Sequence, residues 1–335
     1  MLTPKENLLE TLKRGKPEYL NNSYTMCKGI PGDPCFQLIR GNRVRGTNSY
    51  DAWGTYIMFP EDAPAAVPMV TSENQVIKDI CEWEKYVKVP DLRAKCSEGW
   101  EKAIAARDAI DTEKYLTTTI MGTGIFEQLH MLMTFEDTLM NFLLEPEAMH
   151  DLIDVICDYR LTYMQLIVEN LHPDMIVSHD DWGSKNSLFW SPDTWREFFK
   201  APYKKLYDYL HENGVIVMHH SDSFCEPIVK DMIDIGVDIW QGVLPTNNIK
   251  AISEQFGDKI LLMGGIDSAI DREDATEEEI RKETRRALTE YGDLKGFWPG
   301  MTYGGPGTIY DHVEPVIIDE INKYNLERFG VTGEL

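Results

Sequence analysis

Two hydrophobic patterns alternate between Gly214 and Val243. An unbroken apolar run at 215–218 reads as a buried strand. Ile228, Met232, Ile233 and Ile235 then recur at helical spacing, Gly236 stops the helix, and a second apolar run follows at 237–240. This is a strand–helix–strand unit, and the same alternation extends in both directions. The pattern predicts strands at 115–121, 175–178, 215–219, 237–241, 260–264 and 296–301, with helices between them. Thr3 and Pro4 open an N-terminal helix with Leu8, Leu9 and Leu12 on its apolar face and Gly15 at its end. A long helical stretch is expected over 134–171. Ser191 and Pro192 start another that reaches Gly214. Thr276 and Glu279 form a capping box for a helix that Gly292 closes.

Residues 19–70 have a different character, dense in Gly, Pro, Asn and aromatics, and read as irregular or hairpin structure. One or two strands within 19–60 would bring the count to that of an eight-stranded barrel. The expected architecture is therefore an α/β fold, a (β/α)8 TIM barrel with an N-terminal helix and irregular or hairpin insertions covering its mouth. A single barrel domain is expected over 1–335, with 1–70 as its less regular N-terminal extension. The rival is an open doubly wound sheet, which should carry a GxGxxG turn after an early strand. The nearest stretches, GTG at 122–124 and GGPG at 304–307, lack that spacing and context.

Composition narrows the classes. A chain of 335 residues with 43% hydrophobic positions can bury a large core. Its formal charge of −23, without a Lys/Arg cluster, opposes a nucleic-acid partner. No apolar run approaches the roughly 20 residues that span a bilayer, and the first residues lack an apolar signal core. A soluble, cytoplasmic protein with no membrane partner is expected. Six cysteines scattered over so long a chain argue against a disulfide framework and leave thiols free to bind metal.

In a barrel the chemistry lies at the carboxyl ends of the strands. Polar residues gather there: Thr123 and Glu127, then His179, Asp180, Asp181 and Trp182, then His219, His220, Asp222 and Cys225, then Trp240 and Gln241, then Asp267, and finally Thr302 and Tyr303. Each has an ordinary structural use as well. Asp180 or Asp181 can cap the following turn, the tryptophans can fill the core, Cys225 can behave as a small buried apolar residue, and Glu127 suits the first turn of a helix.

The segment DDWGSKNSLFWSPDTWREFFKAPYKKLYDYLHENGVIVMHHSDS, continued by DMIDIGVDIWQGVLPT and MGGIDS, resembles the uroporphyrinogen decarboxylase superfamily across most of 100–325. Membership implies a (β/α)8 barrel. The superfamily holds decarboxylases and cobalamin-linked methyltransferases whose zinc site uses a His-x-Cys pair and a late Cys. Here the pair reads His220-Ser221-Asp222, and FWPGMTYGGPG offers no late cysteine. DAWGTY, VIKDICEWEKYVKVP and TYGGPGTIYDHV are most similar to the methyltransferase I components of anaerobic O-demethylases. That resemblance implies zinc-dependent movement of a methyl group from a methoxylated aromatic compound to the cob(I)alamin of a separate corrinoid protein. No DxHxxG cobalamin pattern occurs in this chain. His220, Asp222 and Asp181 are the expected metal ligands, with Glu127, His219 and Cys225 behind them. Asp180 and Tyr303 are expected to orient or protonate the leaving oxygen, and Trp182, Phe189 and Trp240 to stack on the ring. The alternatives are a uroporphyrinogen decarboxylase-type enzyme, or a methyltransferase for another methyl donor or a thiol acceptor.

Overall fold

The computed structural model describes residues 1–41, 43–63, 65–302 and 310–332. Among these residues ten strands form two sheets. In chain order they are β1 (Cys27–Gly29), β2 (Thr47–Tyr50), β3 (Tyr56–Phe59), β4 (Val67–Pro68), β5 (Leu116–Met121), β6 (Met175–His179), β7 (Ile216–His220), β8 (Ile239–Val243), β9 (Leu261–Ile266) and β10 (Phe297–Met301). Seven of them make one parallel sheet in the order β1-β5-β6-β7-β8-β9-β10, and β2-β3-β4 make a separate antiparallel sheet. Every step in the large sheet joins a strand to the next one in that series, with helices on the connections, which is the topology of a TIM-type α/β barrel.

The strand expected from 19–60 is thus β1, and the described residues hold seven barrel strands where eight were expected. The other extended runs of that region pair with each other. Asp51 folds them into a hairpin, its carboxylate accepting the backbone N–H groups of Trp53 (2.9 Å) and Thr55 (2.8 Å). The small sheet is tied to the helix Ile125–Leu132, because Thr55 Oγ1 donates to the Met131 carbonyl at 3.2 Å. Between the two edges of the large sheet, the Trp298 indole on β10 donates to the Ser23 carbonyl at 2.8 Å. That bond draws the turn leading into β1 against the last strand.

Local signals explain most element boundaries. Thr3 and Glu6 complete a capping box for the helix Pro4–Leu12, and Thr276 and Glu279 do the same for Glu277–Tyr291. Two expected helices are interrupted. Pro146 breaks the 134–171 stretch into Phe135–Leu144 and Pro146–Leu171. The helix from Ser191 contains a π segment, Arg196–Lys200, before Ala201–Glu212. Pro202 has no N–H for the carbonyl one turn back, so the ladder widens there.

The core has two parts divided by the strands. Leu8 of the first helix meets Leu116, Met175, Met218, Ile239, Leu261 and Trp298 inside the barrel. The alternate strand residues Ile176, Val217, Trp240 and Leu262 face the surrounding helices. This period of two decides which polar residues enter the barrel mouth.

At β8 the pairing register shifts between Gln241 and Val243, and Gly242 sits between them at φ +98°. A Cβ there would lie 2.8 Å from the Thr302 carbonyl oxygen and 2.9 Å from that of Ser221. Gly242→Ala should therefore destabilise the barrel by about 2 kcal/mol or more. The unfolding midpoint in urea checks this, and an unchanged midpoint would show that the strands can move apart there.

Candidate metal centre

Strand parity builds the site. Inward positions on β6 are Met175, Val177 and, by alternation, His179; those on β7 are Ile216, Met218 and His220. Gln241 follows Ile239 on the inward face of β8. The two strands pair in parallel with His179 opposite His220, so adjacent strands end side by side on histidine. Their rings stack at a centroid distance of 4.4 Å and an angle of 21°, close to the natural spacing of neighbouring strands. The loop after β6 adds Asp181. Ligand atoms of His179, Asp181 and His220 lie within 4.8 Å of one another, the one such group among the described residues. His220 Nε2 is 3.9 Å from Asp181 Oδ1.

Neighbouring groups fix the two imidazoles. His179 Nδ1 is 3.1 Å from Glu127 Oε2, which also accepts the Gly124 N–H at 2.9 Å. His220 Nδ1 bonds to Gln241 Oε1, an atom that can only accept, so the proton sits on Nδ1. Both rings are left with Nε2 free for a metal, each oriented by an oxygen behind it. Two imidazole nitrogens and one carboxylate fit zinc in its catalytic form, with three protein ligands and one position open. Tetrahedral zinc needs donors about 3.4 Å apart, so small side-chain rotations would close the group around an ion.

The charges are strongly coupled. Burial opposes charge on His179, but Glu127 and the hydrogen bond to it raise its pKa to about 10. Burial would likewise raise Glu127, and the His179 charge outweighs that, holding its carboxyl well below the usual range. His220 falls to about 3 through burial and the charge on His179. Burial and Glu127 raise Asp181, to about 6, against the pull of His179. At neutral pH the metal-free site therefore holds a neutral His220, an ionised Asp181 and a protonated His179.

The other expected residues lie elsewhere. Asp222 is outside the group: its backbone N–H donates to Asp181 Oδ1 at 3.1 Å, so it holds a ligand in place through its main chain. Its carboxyl is raised to about 7 by burial and the charge of Asp181. His219 faces outward, with Tyr207 Oη 2.6 Å from Nδ1 and the Asp180 carbonyl 3.2 Å from Nε2. Cys225 is fully buried, and burial pushes its thiol up to about 12. Asp180 is also fully buried and accepts four hydrogen bonds, from the N–H groups of Phe126 and Glu127 (both 3.0 Å), Tyr203 Oη (2.5 Å) and the Trp182 indole (3.1 Å). It caps the helix that carries Glu127, a positioning role, and has no free oxygen for a substrate. Trp182 stacks on His219 at 3.9 Å and Trp240 donates to the Ser221 carbonyl at 2.9 Å; both are fully buried and out of a ligand's reach. Phe189 packs in a ring cluster with Phe126, Phe135 and Trp190. Tyr303 lies outside the described residues. Ile120, paired with the inward-facing Val177, lies on the inward parity of β5 and is still 48% exposed.

His179 is the member of this group that sequence reasoning passed over as a candidate ligand. The available signal was positional: like His220, it is the last residue of an apolar strand, at the same parity as the core residues beneath it.

The profile of the uroporphyrinogen decarboxylase family matches residues 50–301. The chain belongs to that family. A curated uroporphyrinogen decarboxylase from Shewanella loihica is 27% identical over 54% of this chain, and the match spans about half (49%) of that relative's length. Among solved structures, a methyltransferase from Methanosarcina mazei superposes with a TM-score of 0.66 at 18% identity, covering 97% of this chain and 99% of that one. That likeness confirms the barrel architecture for this member of the uroporphyrinogen decarboxylase family. No helix among the described residues is long and apolar enough to cross a membrane.

Zinc binding should release about one proton at pH 7–8, because His179 must give up its Nε2 proton to become a ligand. Affinity should then rise about tenfold per pH unit from 7 to 9. Calorimetry in buffers of different ionisation heat counts the proton. Glu127→Gln removes the charge that retains it and should bring the count near zero at pH 8; an unchanged count in that variant would contradict the assignment.

Proposed function

We propose that the protein is a zinc-dependent methyltransferase that moves a methyl group from an aryl methyl ether to the cob(I)alamin of a separate corrinoid protein. The observation that carries this reading is the donor set: two imidazoles and a carboxylate at the barrel mouth, with Cys225 buried away from them. Thiolate-rich sites soften zinc and suit activation of a thiol acceptor, whereas nitrogen and oxygen donors leave a harder Lewis acid. Methyl transfer breaks the carbon–oxygen bond and leaves its electron pair on the aryl oxygen, a poor leaving group without assistance. Bound zinc would supply Lewis acidity toward that oxygen.

The chain's own residues account for the rest. His179, Asp181 and His220 would hold the ion, while Glu127 and Gln241 fix the imidazole orientations from behind. Ile120 offers an apolar surface to an aromatic ring beside the triad. The methyltransferase likeness of the M. mazei structure agrees with this choice of reaction. The family match and the Shewanella relative favour a second reading, decarboxylation of uroporphyrinogen. Release of carbon dioxide from that substrate, without methyl transfer from any ether, would establish it instead.

The test is methyl transfer from a panel of aryl methyl ethers to reduced corrinoid. Removal of metal by a chelator should abolish transfer and added zinc should restore it; full speed without metal would refute the proposal. His179→Ala and His220→Ala should each lose bound zinc and reduce transfer about 100-fold or more, whereas Asp222→Ala should keep its zinc. Metal analysis of the purified variants separates the two outcomes.

A further inference from the structure

Arg160, on the long helix Pro146–Leu171, is 2% exposed and lies in the core on the outer side of β6. Its hydrogen bonds among the described residues go to uncharged oxygens. One Nη donates to the Thr123 carbonyl and the other to the Ser178 hydroxyl at 3.0 Å, while Nε is buried without a partner. A guanidinium is a permanent cation, and burying one against neutral groups costs stability that an apolar side chain of similar length would not. The two groups it grips show what that cost serves.

Thr123 stands at φ +48°, a left-handed conformation that a β-branched residue rarely adopts and that persists only where its surroundings hold it. Its carbonyl belongs to the same peptide unit as the Gly124 N–H. Arg160 therefore bonds one end of that peptide while Glu127 Oε2 accepts from the other at 2.9 Å, and the same Oε2 lies 3.1 Å from His179 Nδ1. A cation on a carbonyl polarises the amide and strengthens the hydrogen bond that its N–H donates. Ser178, the second group, immediately precedes His179 on β6. One side chain thus ties the end of β5 to the end of β6 and reaches Glu127 through a single peptide plane.

We infer that Arg160 is a positioning residue for the metal centre: its buried charge sets the Thr123–Gly124 peptide so that Glu127 is held against His179. Arg160 is not part of the ligand group and acts only through that peptide and through Ser178. The inference rests on the zinc reading of the triad for one readout, and a second readout needs no metal.

Arg160→Met removes the charge at nearly the same length. Competition with a chromogenic zinc chelator should show affinity weaker by about tenfold or more, as when a group behind a metal ligand is lost. In metal-free protein isotope-labelled at its glycine nitrogens, the NMR signal of the Gly124 amide proton should move upfield as its bond to Glu127 weakens. The urea midpoint should hold or rise, because an unpaired buried cation has gone. Arg160→Lys restores the cation and should bind zinc more tightly than the methionine variant. Should Arg160→Met not fold, Arg160→Gln takes its place with the same expectations. Unchanged zinc affinity in the folded neutral variant would overturn the inference, as would an unmoved Gly124 signal or a lysine variant no tighter than the neutral one. A residue that only fills the core would lower the midpoint and leave zinc affinity and Gly124 as they were. If the natural protein takes up no zinc, the methyltransferase reading falls with its metal centre, and the Gly124 signal alone decides for or against Arg160.

Discussion

Two parallel strands that end in register on histidine are the constraint from which the site follows. Because β6 and β7 run side by side with His179 opposite His220, the spacing of a β-sheet alone brings the two rings to 4.4 Å. Nothing in the loops needs to create that proximity. What the loops and helices add is control of charge. Left alone, two stacked imidazoles in a buried mouth would both be neutral and unfixed; Glu127 on one side and Gln241 on the other make them different. One holds a proton tightly and the other has almost no affinity for one. A cation arriving at this pair replaces the proton that Glu127 retains, so the negative charge that stabilises the empty site also stabilises the filled one.

The buried polar residues around the triad form a supporting frame. Asp180 receives the second and third amides of the helix Ile125–Leu132, and the third residue of that helix is Glu127. A Cβ on Gly124 would sit 2.0 Å from Asp180 Cγ, so the close approach that places Glu127 depends on glycine at that position. Trp182 and Tyr203 complete the hydrogen bonds of Asp180, and His219 is locked between Tyr207 and the Asp180 backbone. These groups are conspicuous in the sequence because they are polar and aromatic residues at strand ends. Their work is to hold Glu127 and the β6 loop still.

Most of the barrel was legible from hydrophobic periodicity and turn residues, since long βα units are governed by local patterning. The hairpin region was not: its extended runs are short, and which sheet they join depends on contacts remote in sequence. Seven barrel strands result among the described residues, with the turn at 23–26 drawn against β10 by Trp298. For the site, His220 and Asp181 were visible as strand-end ligands, while Asp222, Trp182, Trp240 and Asp180 were placed by adjacency instead of parity. Counting in twos from the core residues Met175 and Met218 selects His179 and His220 and turns Ser178, His219 and Trp240 outward. The role of Asp222 could not be read this way, because loop geometry made its backbone, and not its carboxylate, the group that meets Asp181.

The central claim is that this member of the uroporphyrinogen decarboxylase family holds zinc through nitrogen and oxygen alone. X-ray absorption at the zinc edge of the metal-loaded protein reads the donor atoms directly. The account predicts a shell of light donors at about 2.0–2.1 Å with histidine outer-shell scattering. A zinc–sulfur distance of about 2.3 Å would contradict it, because no cysteine belongs to the site described here.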